Sequence, residues 1–230
     1  MLNFLDPASA LPSGAFYSLF RGSDSDSTSW LLDASALDLP AQVLGPQCYA
    51  NIFLGQRYLT AAPAITACTT FAAQCLNNAF KQCRRLETVP AINTFIEPTG
   101  SNWNYTFGGL FEECNALTGS FHFQAQSLPS AQSFAYNMLM SSKIAKFEVD
   151  FTEWNSWSSY SATADWMDGM PTSGVFIKPK ELPYEISNSK IRTGWTVVNK
   201  DGGKMYICNS DNSNGAEVAS VDDDGTIHYA

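Results

Sequence analysis

The sequence predicts an α+β fold, in which one long central helix and a second shorter helix pack on antiparallel β segments. An extended N-terminal arm and a C-terminal β-meander complete this expectation. Three observations predict it. Residues 58–86 have a helical hydrophobic period, several stretches between residues 102 and 178 alternate apolar and polar residues, and residues 190–230 contain closely spaced turn signals.

The central helix is expected over residues 58–86 because its apolar residues recur on one side at about 100° per residue. The stripe includes Ile65, Leu86 and the cysteines Cys68, Cys75 and Cys83. The opposite side is polar, and we expect a neighbouring subunit to contact it first. That side includes Thr70, Gln74, Asn77 and Lys81.

A second, weaker helix is expected from Pro129 and Ser130 to about Ala145. Strands are expected where apolar residues alternate, over residues 102–107, 120–126, 146–154 and 175–178. The last 40 residues alternate again between the turn residues 200–203, 210–215 and 222–225, which is typical of a small β-meander. No internal repeat longer than these hairpins is evident in the sequence.

The predicted domain organisation has three parts. Residues 1–57 form an extended arm interrupted by Pro and Gly, residues 58–189 form the α+β core, and residues 190–230 form the meander. The polar, acidic tract at residues 22–29 is expected to be mobile on composition.

Composition limits the classes of function. Hydrophobic residues make up 45% of the 230 residues, enough for a sizeable core, whereas charged residues make up only 15%. A net charge of −9 argues against nucleic-acid binding, which needs clustered Lys and Arg. No apolar run is long enough to cross a membrane, and the N-terminus lacks the features of a signal peptide. Synthesis in the cytoplasm and incorporation into a particle is the expectation.

The six cysteines are expected to be buried free thiols, although an even number also permits three disulfides. No Cys/His spacing typical of zinc is present, the acidic turns do not match a calcium loop, and glycine-rich nucleotide motifs are absent. We therefore expect neither a metal nor a cofactor.

The strand Phe147-Glu148-Val149-Asp150-Phe151-Thr152-Glu153-Trp154 carries the sharpest candidate for catalysis. A one-residue bulge would bring its three carboxylates to one face. This pattern resembles the active-site strand of the family-sixteen glycoside hydrolases. The resemblance implies a nucleophile at Glu148, an acid/base at Glu153 and a helper at Asp150. The alternative is an amphipathic strand with a solvated acidic face.

An aromatic cluster follows that strand and consists of Trp154, Trp157, Tyr160 and Trp166. If exposed, it could stack on sugars or bind a partner; if buried, it belongs to the core or to a subunit contact.

The function expected from this sequence is that of a non-enzymatic structural subunit, such as a virion or phage particle component, acting through contacts with copies or partners. The expectation comes from the weakly charged, aromatic-rich composition and the lack of catalytic motifs. The alternatives are a glycoside hydrolase using Glu148, Asp150 and Glu153, and a carbohydrate-binding module using the tryptophans.

Overall fold

A computed structural model describes residues 10–23, 29–96, 103–129, 133–154 and 161–230. Within these ranges the chain contains β-strands and turns but no helix. Accordingly, no helix of these ranges is long and apolar enough to cross a membrane.

Two sheets are formed by the described strands. A short parallel pair joins β1 (Ala10–Leu11) to β2 (Val43–Leu44). The larger sheet follows chain order and contains β3 (Ser120–Phe123), β4 (Lys146–Val149), β5 (Val175–Pro179), β6 (Thr196–Asp201), β7 (Lys204–Cys208), β8 (Asn214–Val221) and β9 (Ile227–Tyr229). Pairing is parallel from β3 to β6 and antiparallel from β6 to β9.

Stacked coils continue the parallel part of the sheet towards the N-terminus. Isolated parallel bridges join Asp33 to Ala61, Ile65 to Ile92 and Ile96 to Ala125. Each coil places a sheet-forming segment on one side and a chain of tight turns on the other. We call the stacked turn segments the turn ladder; it comprises residues 14–22, 47–55, 74–82, 105–113, 133–141 and 163–169.

Two kinds of backbone hydrogen bond hold the turn ladder together. Within a segment, alternate amides close tight turns, as when Ala79 N donates to Leu76 O over 3.1 Å. The intervening amides donate to the next coil: Phe53 N to Ala79 O over 2.9 Å and Phe80 N to Leu110 O over 3.0 Å. Every backbone group inside the stack can therefore be satisfied without a helix.

The predicted central helix over residues 58–86 is wrong. Gln74, Asn78 and Gln82 have φ angles of 59°, 52° and 64°, and a left-handed residue at every fourth position cannot belong to a right-handed helix. The apolar pairs between these residues recur every four positions, close to the spacing of a helix stripe. The sequence pattern was therefore real, but it belongs to consecutive turns.

The predicted second helix over residues 129–145 is also wrong. Ser133, Asn137 and Ser141 have positive φ angles, and residues 133–141 form the next segment of the turn ladder. The prediction of an antiparallel sheet in the core is wrong as well, because β3 to β6 pair in parallel. Together these findings overturn the α+β fold class.

The core runs through the stack between the turn ladder and the sheet. Phe20, Phe53, Phe80 and Phe111 occupy equivalent positions in four successive coils, with neighbouring ring centroids 5.4 to 5.5 Å apart. A second, smaller core lies between the outer face of β5 and β6 and the folded-back strands β7 to β9, with Ile177, Val198 and Val218 at its centre. The strands β6 to β9 lie where the C-terminal alternation predicts strands.

Residues 10–23 and 29–57 supply the first coil and the ladder segment of the second. The predicted division into an arm, a core and a meander stays a prediction.

Candidate functional site

The carboxylates Glu148 and Asp150 lie together on the outer face of the sheet, on and just after β4. Lys200 of β6 reaches across β5 and places its Nζ 2.8 Å from Glu148 Oε1 and 2.8 Å from Asp150 Oδ1. His122 of β3 lies in register with Glu148, and its Nε2 is 2.9 Å from Asp150 Oδ2. Three strands thus assemble two acids and two bases into one cluster.

Charge balance decides the protonation of this cluster. Partial burial alone would raise the pKa of Asp150, but hydrogen bonds from Lys200 and His122 outweigh it, so this pKa lies below its ordinary value. Burial alone would lower the pKa of Lys200, but Asp150 and Glu148 outweigh it and raise this pKa. Asp150 and Lys200 are therefore held in their charged forms at neutral pH, in an ion-pair network.

The third carboxylate of the acid strand does not join the cluster. The groups of the described chain that approach within 4.8 Å of one another are His122, Glu148 and Asp150, whereas Glu153 is exposed. A retaining glycosidase needs its two carboxyl groups about 5 to 5.5 Å apart. The roles that the resemblance implies for these residues stay predictions.

His, Glu and Asp at this distance could also bind a metal ion. However, the ammonium group of Lys200 already lies 2.8 Å from an oxygen of each carboxylate and offsets one of their two negative charges.

The predicted aromatic cluster is only partly described. Trp157 and Tyr160 lie outside the described residues. Trp166 is fully buried and donates from Nε1 to Lys190 O over 2.7 Å. Trp154 is partly buried against Phe151 and Trp166, and its Nε1 donates to Pro183 O over 2.9 Å. These two tryptophans pack into the core, and the binding role of the four aromatic residues stays a prediction.

Two features of the molecule were not found from the sequence. The first is the N-terminal end of the stack, which no described segment covers and where Leu19 is 55% exposed. The equivalent residues of the next coils, Ile52, Ala79 and Leu110, are fully buried.

The second feature is a depression of about 490 Å³ on the turn ladder. It is lined in part by Gln74, Asn77 and Lys81, which the sequence assigns to the polar side of the expected helix.

An internal repeat is the signal that could have revealed both features. Aligning the stacked coils superposes AFYSLFRG (15–22), CYANIFLG (48–55), CLNNAFKQ (75–82), TFGGLFEE (106–113) and FAYNMLMS (134–141). The spacing between these segments varies from 27 to 33 residues, so a search for a fixed period misses it.

Comparisons with protein-family models, with curated proteins and with solved structures found no match for this chain.

Proposed function

We propose that this chain is a non-enzymatic structural subunit of a larger assembly, such as a virion or phage particle component, and that the N-terminal end of the stack is its contact surface. The exposed apolar side chains at this end carry the proposal. Tyr17, Leu19, Trp30 and Leu32 are between 50% and 80% exposed, and all four belong to the first coil. Stacked repeats need a polar cap at each end to remain soluble alone, and the described part of this coil does not provide one.

The backbone at this end has a defined polarity. In the turn ladder, each segment donates amide hydrogens to the segment that follows it in sequence. The ladder segment of the first coil therefore presents carbonyl oxygens outwards. Among the described residues, no hydrogen bond reaches the carbonyl oxygens of Ala15, Tyr17, Leu19 or Arg21. The surface thus offers a row of acceptors beside exposed apolar side chains.

The occupant that fits this surface is a different protein that presents a row of backbone N–H donors and apolar side chains. Two copies joined end to end at their first coils would place acceptors against acceptors. Stacking a copy head to tail is hindered, because residues 189–192 cross the opposite end. There, Thr163 Oγ1 donates to Ser189 O, and Arg192 Nη1 donates to Met167 O.

A comparison of two variants tests whether the exposed apolar side chains of the first coil mediate association. Leu19→Lys places a charge at the open end, and Phe95→Lys places the same charge at a residue that is 51% exposed on another coil. We expect the purified wild-type chain to bind a hydrophobic fluorescent dye and to aggregate with concentration in light scattering. We expect Leu19→Lys to reduce both effects by more than half and Phe95→Lys to change neither.

The partner is then identified in the intact assembly. A photo-crosslinking amino acid in place of Tyr17 should crosslink to one different protein, and the same group in place of Phe95 should not. Crosslinks confined to copies of this chain would show that the occupant is a second copy. A monodisperse wild-type monomer that binds no dye would refute the structural-subunit proposal.

A further inference from the structure

Three side chains on β3 and β4 lie close enough together to bind one metal ion. His122 Nε2 lies 2.9 Å from Asp150 Oδ2 and 3.7 Å from Glu148 Oε1. One ligand atom from each of these residues lies within 4.8 Å of the other two. Ligand atoms bound tetrahedrally to one Zn²⁺ at about 2.0 to 2.2 Å are separated from each other by about 3.3 to 3.6 Å. The three side chains therefore need only small movements to bind the same ion.

The sheet holds these side chains in place and leaves them open to solvent. β3 and β4 pair in parallel with His122 opposite Glu148. Asp150 follows two residues later, and alternate residues of an extended chain share a face. The side chain of His122 is 41% exposed, and those of Glu148 and Asp150 are 24% and 23% exposed. An ion from solvent therefore reaches all three residues, and a water molecule can complete a tetrahedral site.

The cluster keeps a negative charge that Lys200 does not offset. A metal ion binds histidine through its neutral ring. With that ring neutral, Glu148, Asp150 and Lys200 together carry a net charge of one negative unit. Among the described residues, no other Lys or Arg lies within 4.0 Å of either carboxylate. A divalent cation therefore meets an unbalanced charge at this point of the sheet.

Lys200 competes with a metal ion for only part of the cluster. Its Nζ contacts Glu148 Oε1 and Asp150 Oδ1, whereas His122 faces the other oxygen of Asp150, Oδ2. Lys200 can therefore keep its bond to Asp150 Oδ1 while Oδ2 binds an ion, and it gives up only its contact with Glu148. Hydrogen bonds to the outer oxygen of a ligating carboxylate are a common means of orienting it.

We propose that His122, Glu148 and Asp150 form a binding site for a divalent transition-metal ion such as Zn²⁺, with Lys200 as a competing cation. One imidazole nitrogen and two carboxylates favour Zn²⁺ over Ca²⁺ and Mg²⁺, which prefer oxygen ligands alone. The bound ion joins β3 to β4 on the outer face of the sheet. This site is separate from the first-coil surface and does not depend on the proposed structural role.

Binding is tested by titrating the full chain, freed of metal with a chelator, with Zn²⁺ in a calorimeter. We expect one ion per chain. NMR of the histidine rings should show that Zn²⁺ perturbs Nε2 of His122. Ca²⁺ at equal concentration should leave this resonance unchanged.

Two variants and a matched control locate the site. His122→Ala removes the nitrogen ligand and should weaken Zn²⁺ binding by about tenfold or more. Lys200→Met removes the competing charge and should strengthen Zn²⁺ binding by about tenfold. The control is His228→Ala, because His228 Nε2 lies 2.8 Å from Asp222 Oδ2 on the same sheet, and no second carboxylate of the described chain lies within 4.0 Å of its ring. Zn²⁺ binding should be retained in this control.

Stronger binding by Lys200→Met separates a metal site from an ion-pair network that serves stability alone, since removing Lys200 from such a network creates no affinity for Zn²⁺. Absence of Zn²⁺ binding by the wild-type chain would overturn the proposal. Unchanged binding in His122→Ala would overturn it as well, and so would loss of binding in His228→Ala.

Discussion

The two ends of the coil stack differ in how they complete the core. At the N-terminal end, Phe20 is partly buried, and among the described residues its ring stacks on Phe53 alone. At the C-terminal end, residues 189–192 cross the last ladder segment: Arg192 Nη1 donates to Met167 O, and Ile191 is fully buried in the core. The stack is therefore closed where the chain crosses its last coil, and it is open at the first coil, which no described segment crosses.

The largest expected effect concerns the buried thiols of the stack. Burial raises the pKa of Cys48 and Cys68 to about 12, and burial also raises the pKa of Cys75 and Cys83 well above its usual value. Unfolded thiols ionise near pH 9 and the folded ones do not. Stability from these groups is thus complete below pH 9 and is lost between pH 9 and 12, by about 1.4 kcal/mol per pH unit and thiol.

We therefore expect the protein to unfold cooperatively between pH 9 and 11. Tryptophan fluorescence, recorded in the presence of a reductant, measures this transition. Cys83→Ser retains a donor for Phe53 O and should lessen the loss by about 1.4 kcal/mol per pH unit. Lys178 opposes the trend, because burial lowers its pKa to about 8 and stability from this group rises from pH 8 towards 10.5.

The thiols of the stack and of the meander should also differ in reactivity. Cys208, on the meander, should be the first cysteine to react with a thiol reagent. Earlier reaction of Cys83 would contradict the contrast between the stack and the meander.

The second prediction compares one side chain inside the stack with its equivalent at the open end. Phe80 is fully buried between Phe53 and Phe111, so Phe80→Ala should lower the free energy of unfolding by about 3 to 5 kcal/mol. Phe20→Ala removes a ring with one stacked neighbour and should cost about 1 to 2 kcal/mol. Urea denaturation measures both. Equal losses would mean that the first coil is covered.

The smallest effect concerns the ion pairs near the closed end. Lys200→Met removes the partner of two carboxylates, each with less than a quarter of its side chain exposed, and should cost about 1 to 2 kcal/mol. It should also raise the pKa of Asp150, which a carboxyl NMR titration measures. Lys204→Met breaks an exposed pair with Glu217 and should change stability by less than about 0.5 kcal/mol. If Lys200→Met and Lys204→Met lowered the free energy of unfolding by the same amount, the Lys200 cluster would contribute no more to stability than an exposed ion pair.

Local alternation located β3, β4, β5 and the C-terminal strands, because an apolar period of two residues matches the pleat of a strand. The strand predicted from the same alternation over residues 102–107 is wrong, because residues 104–113 form turns of the ladder. The period of residues 58–86 was ambiguous. Cys75, Ala79 and Cys83 satisfy a helix stripe and a chain of four-residue turns equally well. Asn78 at the centre of that stretch tolerates a left-handed backbone, but one asparagine does not distinguish the two structures.

The candidate sites depended even more on tertiary structure. The sequence places Glu148 and Asp150 on one strand face but contains no sign that Lys200, 50 residues away from Asp150, would join them.

The sequence by itself thus determined composition, the absence of nucleotide-binding motifs, the buried character of the cysteines and the positions of the strands from β3 onwards. Tertiary structure decided between helix and stacked turns and made the central sheet parallel, and it left the first coil without cover from any described segment. The physical reason is that hydrogen bonds between segments of the turn ladder join residues 26 to 32 positions apart, and no local pattern encodes those partners.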